Sequence, residues 1–363
     1  MSAFTKADLR SILVSCGINV VSQTGDDFLC LCPFHRNLDT PAFAVSYTKG
    51  LYICYNQNCN ASGSVLDLVR ELTGRNHFEA LRYIESNKLT DEEKKFLTHI
   101  FRFFTQGDID VAGGYVRNYL PYFPQPEVRM MLMGFAAREA LHIAAYSHLI
   151  ETLGLPETLY NDFMEYQAMK EKHEYVMNIS AENSTKENTA RHIAVFSAFT
   201  EGMQLFSSFI MLLNFPRHGK MKGMGQIVTW SIVDETQHCD SMIKLFRTFI
   251  QENHEIWTDE LKSQIYTVAE RMVELEDKFI DLAFEMGPME NLTIEEVKKY
   301  IRYIADRRLI SLGLKGLFKV KKNPLPWVEE MINAPTHTNF FENRATDYAK
   351  GALSGDWGDV WAN

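Results

Sequence analysis

Cysteine is scarce in this chain, tryptophan scarcer, and neither a membrane-length apolar run nor a surplus of basic residues is present. Six cysteines in 363 residues are too few for a disulfide framework, and three of them stand at metal-ligand spacing, which suits a reducing compartment. No apolar run reaches the roughly eighteen residues of a membrane helix, and no signal peptide opens the chain, so a soluble, cytoplasmic protein without a membrane partner is expected. Thirty-seven Lys and Arg stand against forty-seven Asp and Glu, a formal net charge of -10, which argues against general nucleic-acid binding. Of five tryptophans the first is Trp230. The length exceeds the usual size of one core, and the motifs divide it near residue 86.

Two Glu-x-x-His pairs are present. Glu139 and His142 lie in an apolar helical pattern from Met130 to Ile150, and Glu235 and His238 lie in another from Met224 to Ile250. At that spacing a carboxylate and an imidazole share one helix face, so two such helices facing each other build a dinuclear metal site. With eleven His in the chain, roughly one Glu-x-x-His arises by chance, so the flanking periodicity carries the reading. A third apolar helix, 193–214, contains Glu201, and an aspartate follows the helix of 96–104, either Asp108 or Asp110. Four helices then supply four carboxylates and two imidazoles, a donor set for iron or manganese. The plainer alternative is a bundle whose buried acids pair with Arg or Lys. Ionised carboxylates are almost never buried unpaired, which disfavours it.

Residues 87–363 resemble the small, radical-generating subunit of class I ribonucleotide reductase. The likeness runs through Glu139-x-x-His142-x-x-x-Tyr146, Phe199-Thr200-Glu201-Gly202, Asp234-Glu235-x-x-His238, Asn323-Pro324-Leu325-Pro326-Trp327 and the tail from Asn339 to Tyr348. It implies a ferritin-like helical bundle and a dinuclear iron, manganese or mixed centre held by Asp108, Glu139, His142, Glu201, Glu235 and His238. Laid on the family pattern without a gap, 89–139 puts the first ligand at Asp108. It also implies that Tyr146, one turn beyond His142, carries the radical, within an apolar shell where helical spacing places Leu205, Phe209 and Ile232. Tyr115, Tyr119 and Tyr122 fall in a Gly- and Pro-bearing stretch that reads as a loop. The radical path of the family runs from the ligand matching His142 through Asp234 to a tryptophan on the N-terminal segment. Here no tryptophan precedes Trp230. Either Tyr83 or another residue substitutes, or long-range transfer is impaired. In the tail Tyr348 matches the relay between subunits, with Trp357, Val360 and Trp361 as apolar anchors.

The N-terminal part reads differently. Cys32-Pro33-Phe34-His35, then Cys54 and Cys59, give three thiolates and one imidazole, a closed tetrahedral zinc set. Residues 40–45 and 50–54 read as two strands, and 61–69 as a turn entering a helix. The stretch 3–85 resembles the zinc-binding domain of bacterial DNA primases, with the difference that four residues separate Cys54 from Cys59 where primases usually have two. Cys30, Cys16 and Cys239 read as small buried apolar residues. Residues 1–86 carry seven basic and eight acidic side chains, so the finger is expected to be structural or partner-docking. A weak nucleic-acid or replication-protein contact ranks second.

The expected architecture is mainly α: an α+β zinc-ribbon domain at 1–86, a ferritin-like bundle at 87–335 and a flexible tail at 336–363. The expected function is the small subunit of ribonucleoside-diphosphate reductase, a homodimer working with a large catalytic subunit. The alternatives are a stand-alone dimetal oxidase, disfavoured by the Tyr348 tail, and a replication-linked binding protein with a vestigial bundle, disfavoured by the complete ligand set.

Overall fold

The computed structural model describes the backbone of residues 4, 6–35, 40–87, 89–152, 166–180, 185–285 and 287–333, and all their side chains except those of 85–87, 91, 102–106, 108, 110, 152 and 176–180. The buried apolar residues fall into two clusters, one running from Phe4 to Ile84 and the other from Leu89 to Val328.

The first cluster lies under a five-stranded antiparallel meander. Helix α1 (Lys6–Ser15) precedes strands β1 (Val20–Thr24), β2 (Asp27–Cys30), β3 (Phe43–Ser46), β4 (Leu51–Cys54) and β5 (Ser62–Ser64), each paired with the next. The two strands expected from sequence are β3 and β4, in a register that sets Phe43 opposite Cys54. The strands β1 and β2 were not legible, because β1 is exposed along most of its length and shows no clean alternation. Helix α2 (Val65–Thr73) starts at a capping box of Ser64 and Asp67 and stops at Gly74, whose φ of 68° is left-handed. Helix α3 (His77–Asn87) leads toward the bundle, and Arg82 Nη2 comes within 3.5 Å of His148 Nε2 there.

The second cluster is the interior of a helical bundle. Helix α4 (Asp91–Gly114) begins at a Thr90–Glu93 capping box and continues as a π-helical segment, Tyr115–Tyr119. Of the stretch read as a loop, the part with Tyr115 and Tyr119 is therefore helical, while Tyr122 lies in the turn that follows. Gly113 and Gly114, which suggested a break, are there for packing: a Cβ on Gly114 would sit 2.7 Å from the Phe196 ring. Helix α5 (Pro126–Thr152) carries the first Glu-x-x-His pair. Then follow α6 (Gln167–Ser180), α7 (Lys186–Ala194), a second π segment (Val195–Gln204), α8 (Phe206–Arg217) and α9 (Lys222–Glu252), the last with the second pair. Helices α10 (Asp259–Phe284), α11 (Ile294–Ser311) and α12 (Pro326–Asn333) complete the bundle.

The run Lys186–Arg217 is long and apolar enough to cross a membrane by composition, which the sequence reading had excluded, but its apolar window is buried in the bundle, and the run carries Glu201. The polar stretch 170–191 is partly interior. Lys172 is fully buried, its ammonium 2.5 Å from Glu276 Oε2 and 2.9 Å from the Gln204 carbonyl.

Candidate metal centre

Three elements converge on one buried point: α5 with Glu139 and His142, the second π segment with Glu201, and α9 with Glu235 and His238. Ligand atoms of Glu139, Glu201, Glu235 and His238 lie within 4.8 Å of one another, and all four residues are buried. The π segment widens the helix locally, which changes the angle at which Glu201 leaves the backbone; such bulges are common at functional sites. Gly202 beside it permits close approach, since a Cβ there would meet Cys239 Sγ at 2.7 Å and Arg308 Nε at 2.8 Å.

His142 stands beside this cluster. Its Nδ1 is 3.2 Å from Glu139 Oε2 and 3.2 Å from Glu235 Oε1, while its Nε2 is 3.2 Å from Asp234 Oδ2. Asp234 is partly exposed and also lies 3.4 Å from Arg138 Nε. An aspartate on Nε2 fixes which ring nitrogen carries a proton and leaves Nδ1 to face the carboxylates.

The donor set fits a metal pair. Glu139 Oε1, Glu201 Oε2, Glu235 Oε2 and His238 Nδ1 are buried without a hydrogen-bond partner, one atom from each member of the cluster. His238 Nδ1 and Glu139 Oε1 are only 3.0 Å apart, yet they are not aligned as donor and acceptor. Two ligands of one ion adopt that relation. Four orphaned atoms at one place would be costly for a packed interior, and cations remove the cost.

Electrostatics agree. Burial pushes the Glu201 carboxyl well above its usual range, and repulsion from Glu235 adds to it. Burial opposes charge on His142 and His238, but the adjacent carboxylates of Glu139 and Glu235 outweigh it and raise them to about 11 and about 10. Burial likewise opposes charge on Glu139, but the adjacent imidazoles of His142 and His238 prevail and lower it. Protons here occupy places that metal ions would take.

Tyr146 is fully buried on α5, with its hydroxyl donating to Ser231 Oγ at 2.9 Å and its ring 6.4 Å from that of Phe101. Leu205, Phe209 and Ile232 are buried in the same core. The neighbour of the hydroxyl on α9 is however the polar Ser231, one turn before Glu235. Asp108 belongs to α4, but its side chain lies outside the described residues, as does that of Asp110. Tyr348, Trp357, Val360 and Trp361 also lie outside them.

Two residues of the site were missed from sequence. The Tyr115 hydroxyl donates to Glu201 Oε1, and Phe135 lies against His238 with ring centroids 4.2 Å apart. Tyr115 had a legible signal, seven residues or two turns beyond Asp108, masked by the adjacent glycines.

A second cluster lies in the N-terminal part. One ligand atom from each of Cys32, His35, Cys54 and Cys59 falls within a common 4.8 Å, with Cys32 Sγ 3.8 Å from Cys59 Sγ and Cys54 Sγ 3.9 Å from His35 Nδ1. The longer Cys54–Cys59 spacing is taken up by a turn over 57–59, closed by the Cys59 N–H donating to the Asn56 carbonyl at 3.0 Å. Cys30 is buried in β2 outside this cluster, Cys239 is buried in α9, and Cys16 is only partly buried.

These geometries agree with known proteins. The model of the CHC2 zinc finger matches residues 4–96, and that of the ribonucleotide reductase small chain matches residues 83–324. A protein of Invertebrate iridescent virus 3 named "Probable ribonucleoside-diphosphate reductase small subunit" is 56% identical over 287 residues, covering 75% of this chain and 76% of its own. The fold is similar to the ribonucleotide reductase R2 subunit from Clostridium botulinum, with a TM-score of 0.62 at 24% identity over 67% of this chain and 78% of that one. It is also similar to dimanganese(II)-NrdF of Streptococcus sanguinis, with a TM-score of 0.57 at 20% identity over 77% of this chain and 99% of that one. A bundle with paired Glu-x-x-His helices, a matching family model across most of its length and a viral relative above half identity leave one conclusion: the chain belongs to the ribonucleotide reductase small-chain family.

Proposed function

We propose that this chain is the small subunit of a class I ribonucleoside-diphosphate reductase, holding a dinuclear metal centre and supplying a radical to a separate large subunit that reduces ribonucleotides. The convergence of four buried ligand residues, Glu139, Glu201, Glu235 and His238, each with a side-chain atom lacking a hydrogen-bond partner, carries this reading. His142 and Asp108 complete the set, and four carboxylates then balance the charge of two divalent ions. The pair of ions, when bound, would activate dioxygen and supply the one-electron oxidant.

The chain's own residues do the rest. Burial of the ligands and of Tyr146 excludes water and reducing solutes from the site. Tyr146 offers an oxidisable phenol one helical turn from His142, and Ser231 Oγ accepts the hydrogen bond of its hydroxyl. Asp234 orients His142 through Nε2 and reaches partly to the surface, as an exit toward a partner requires. Tyr348 in the tail carries the radical between subunits, with Trp357 and Trp361 anchoring the docking. The Streptococcus sanguinis protein is a dimanganese(II) form, and this oxygen- and nitrogen-donor set accepts iron, manganese or a mixture. The finger, residues 1–86, holds one zinc through Cys32, His35, Cys54 and Cys59 as a structural or docking module beside the bundle of 87–335. As a member of its family the subunit works as a homodimer.

The test is metal stoichiometry in Glu235→Ala and His238→Ala. Each should lose at least one ion per chain while helical content persists, because the apolar bundle faces are untouched. Two ions retained in both variants would refute the assignment.

A further inference from the structure

Tyr115 is the feature of the site that the family likeness did not bring forward. It is fully buried and donates its phenolic hydrogen to Glu201 Oε1, while Glu201 Oε2 has no hydrogen-bond partner and Glu201 is one of the four residues of the ligand cluster. The ring cannot easily leave this pose. It is packed against Phe135 at 5.6 Å and Phe196 at 5.4 Å, and stands edge-on to His238 at 6.2 Å. Phe196 is itself pressed onto Gly114, the residue before Tyr115, where no Cβ would fit.

A carboxylate can hold a metal through one oxygen or through both. For Glu201 the second mode would require Oε1 to abandon the phenol and leave a buried O–H without an acceptor, which costs the desolvation of that donor. We propose that Tyr115 is a positioning residue that confines Glu201 to metal binding through Oε2 alone, and so keeps room at that ion for a further small ligand. The proposal rests on the dimetal reading. Tyr119, on the same π segment and also buried, donates instead to the His192 carbonyl at 3.1 Å and serves as a control for disturbance of the segment itself.

The experiment loads the full chain with manganese(II) under nitrogen and reads the crystal structure and the manganese electron paramagnetic resonance spectrum. In the wild type Glu201 should bind through one oxygen, with the Tyr115 hydroxyl on the other. In Tyr115→Phe the freed oxygen should move into coordination, as a chelate or a bridge, and the spectrum should shift. Tyr119→Phe should change neither. Two-oxygen binding by Glu201 in the wild type, with Tyr115 turned away, would overturn the proposal. So would an unaltered spectrum and one-oxygen binding in Tyr115→Phe. Should that variant fail to fold, the wild-type structure alone decides. Failure of the wild type to bind two ions would instead remove the dimetal reading beneath the proposal, a distinct result.

Discussion

Tyr146 and Tyr115 show what single positions decide. Both are fully buried beside the ligand helices, yet one phenol meets the hydroxyl of Ser231 and the other a carboxylate of the cluster. Tyr146→Phe removes the oxidisable phenol and one hydrogen bond while hardly changing volume. Its stability should fall by about 1 kcal/mol or less, the usual net worth of such a bond. Metal loading should persist, and the organic radical formed after reaction with oxygen should vanish from the paramagnetic resonance spectrum. A tyrosyl signal of normal yield in that variant would place the radical elsewhere, with Tyr115 the first residue to replace next.

At the scale of elements, the second π segment ends at a buried polar cluster. Lys172 from α6 reaches the Gln204 carbonyl at the end of that segment, Glu276 from α10 pairs with Lys172, and Ser207 from α8 donates to Glu276. Burial pulls the Lys172 ammonium down to about 8 even against the attraction of Glu276. Lys172→Ala leaves a buried carboxylate without its cation and should cost about 3–5 kcal/mol in denaturant unfolding. Lys172→Met combined with Glu276→Leu should recover most of that loss, since a packed apolar pair can replace a buried ion pair. If the double variant is no more stable than Lys172→Ala, the cluster acts through the Gln204 contact and not through its charges. The finger is the other separable element, too small to depend on its own core alone. Cys54→Ser should release zinc and expose residues 1–86 to protease while the bundle keeps its metals, as metal analysis and limited proteolysis would read. One zinc per chain retained in that variant would count against the ligand set.

For the whole molecule, the proposed partnership through the tail can be tested directly. Truncation after Ala352 removes Trp357 and Trp361 but keeps Tyr348, whereas Tyr348→Phe does the opposite. The truncation should abolish binding to the large subunit in a pull-down, because most docking energy lies in a few buried aromatics. Tyr348→Phe should bind within a few-fold of normal and yet abolish ribonucleotide reduction. Turnover surviving in Tyr348→Phe would refute the relay, and full binding by the truncated chain would refute the anchors.

Much of this protein was determined by short-range pattern. A Glu and a His three residues apart on an apolar helix must share a face, so Glu139, His142, Glu235 and His238 could be named from spacing, as could Cys32, His35, Cys54 and Cys59 from ligand chemistry. What required the tertiary structure were relations that spacing along one chain does not encode. Phe196 closes over Gly114 just before the π segment Tyr115–Tyr119, and without sight of that contact the glycines read as a break. Ser231, not an apolar residue, meets the Tyr146 hydroxyl because the local angle between α5 and α9 decides which face is presented. Lys172 looks solvent-facing until α8 and α10 surround it. Periodicity chooses the face of a helix, and packing against distant elements chooses what that face meets.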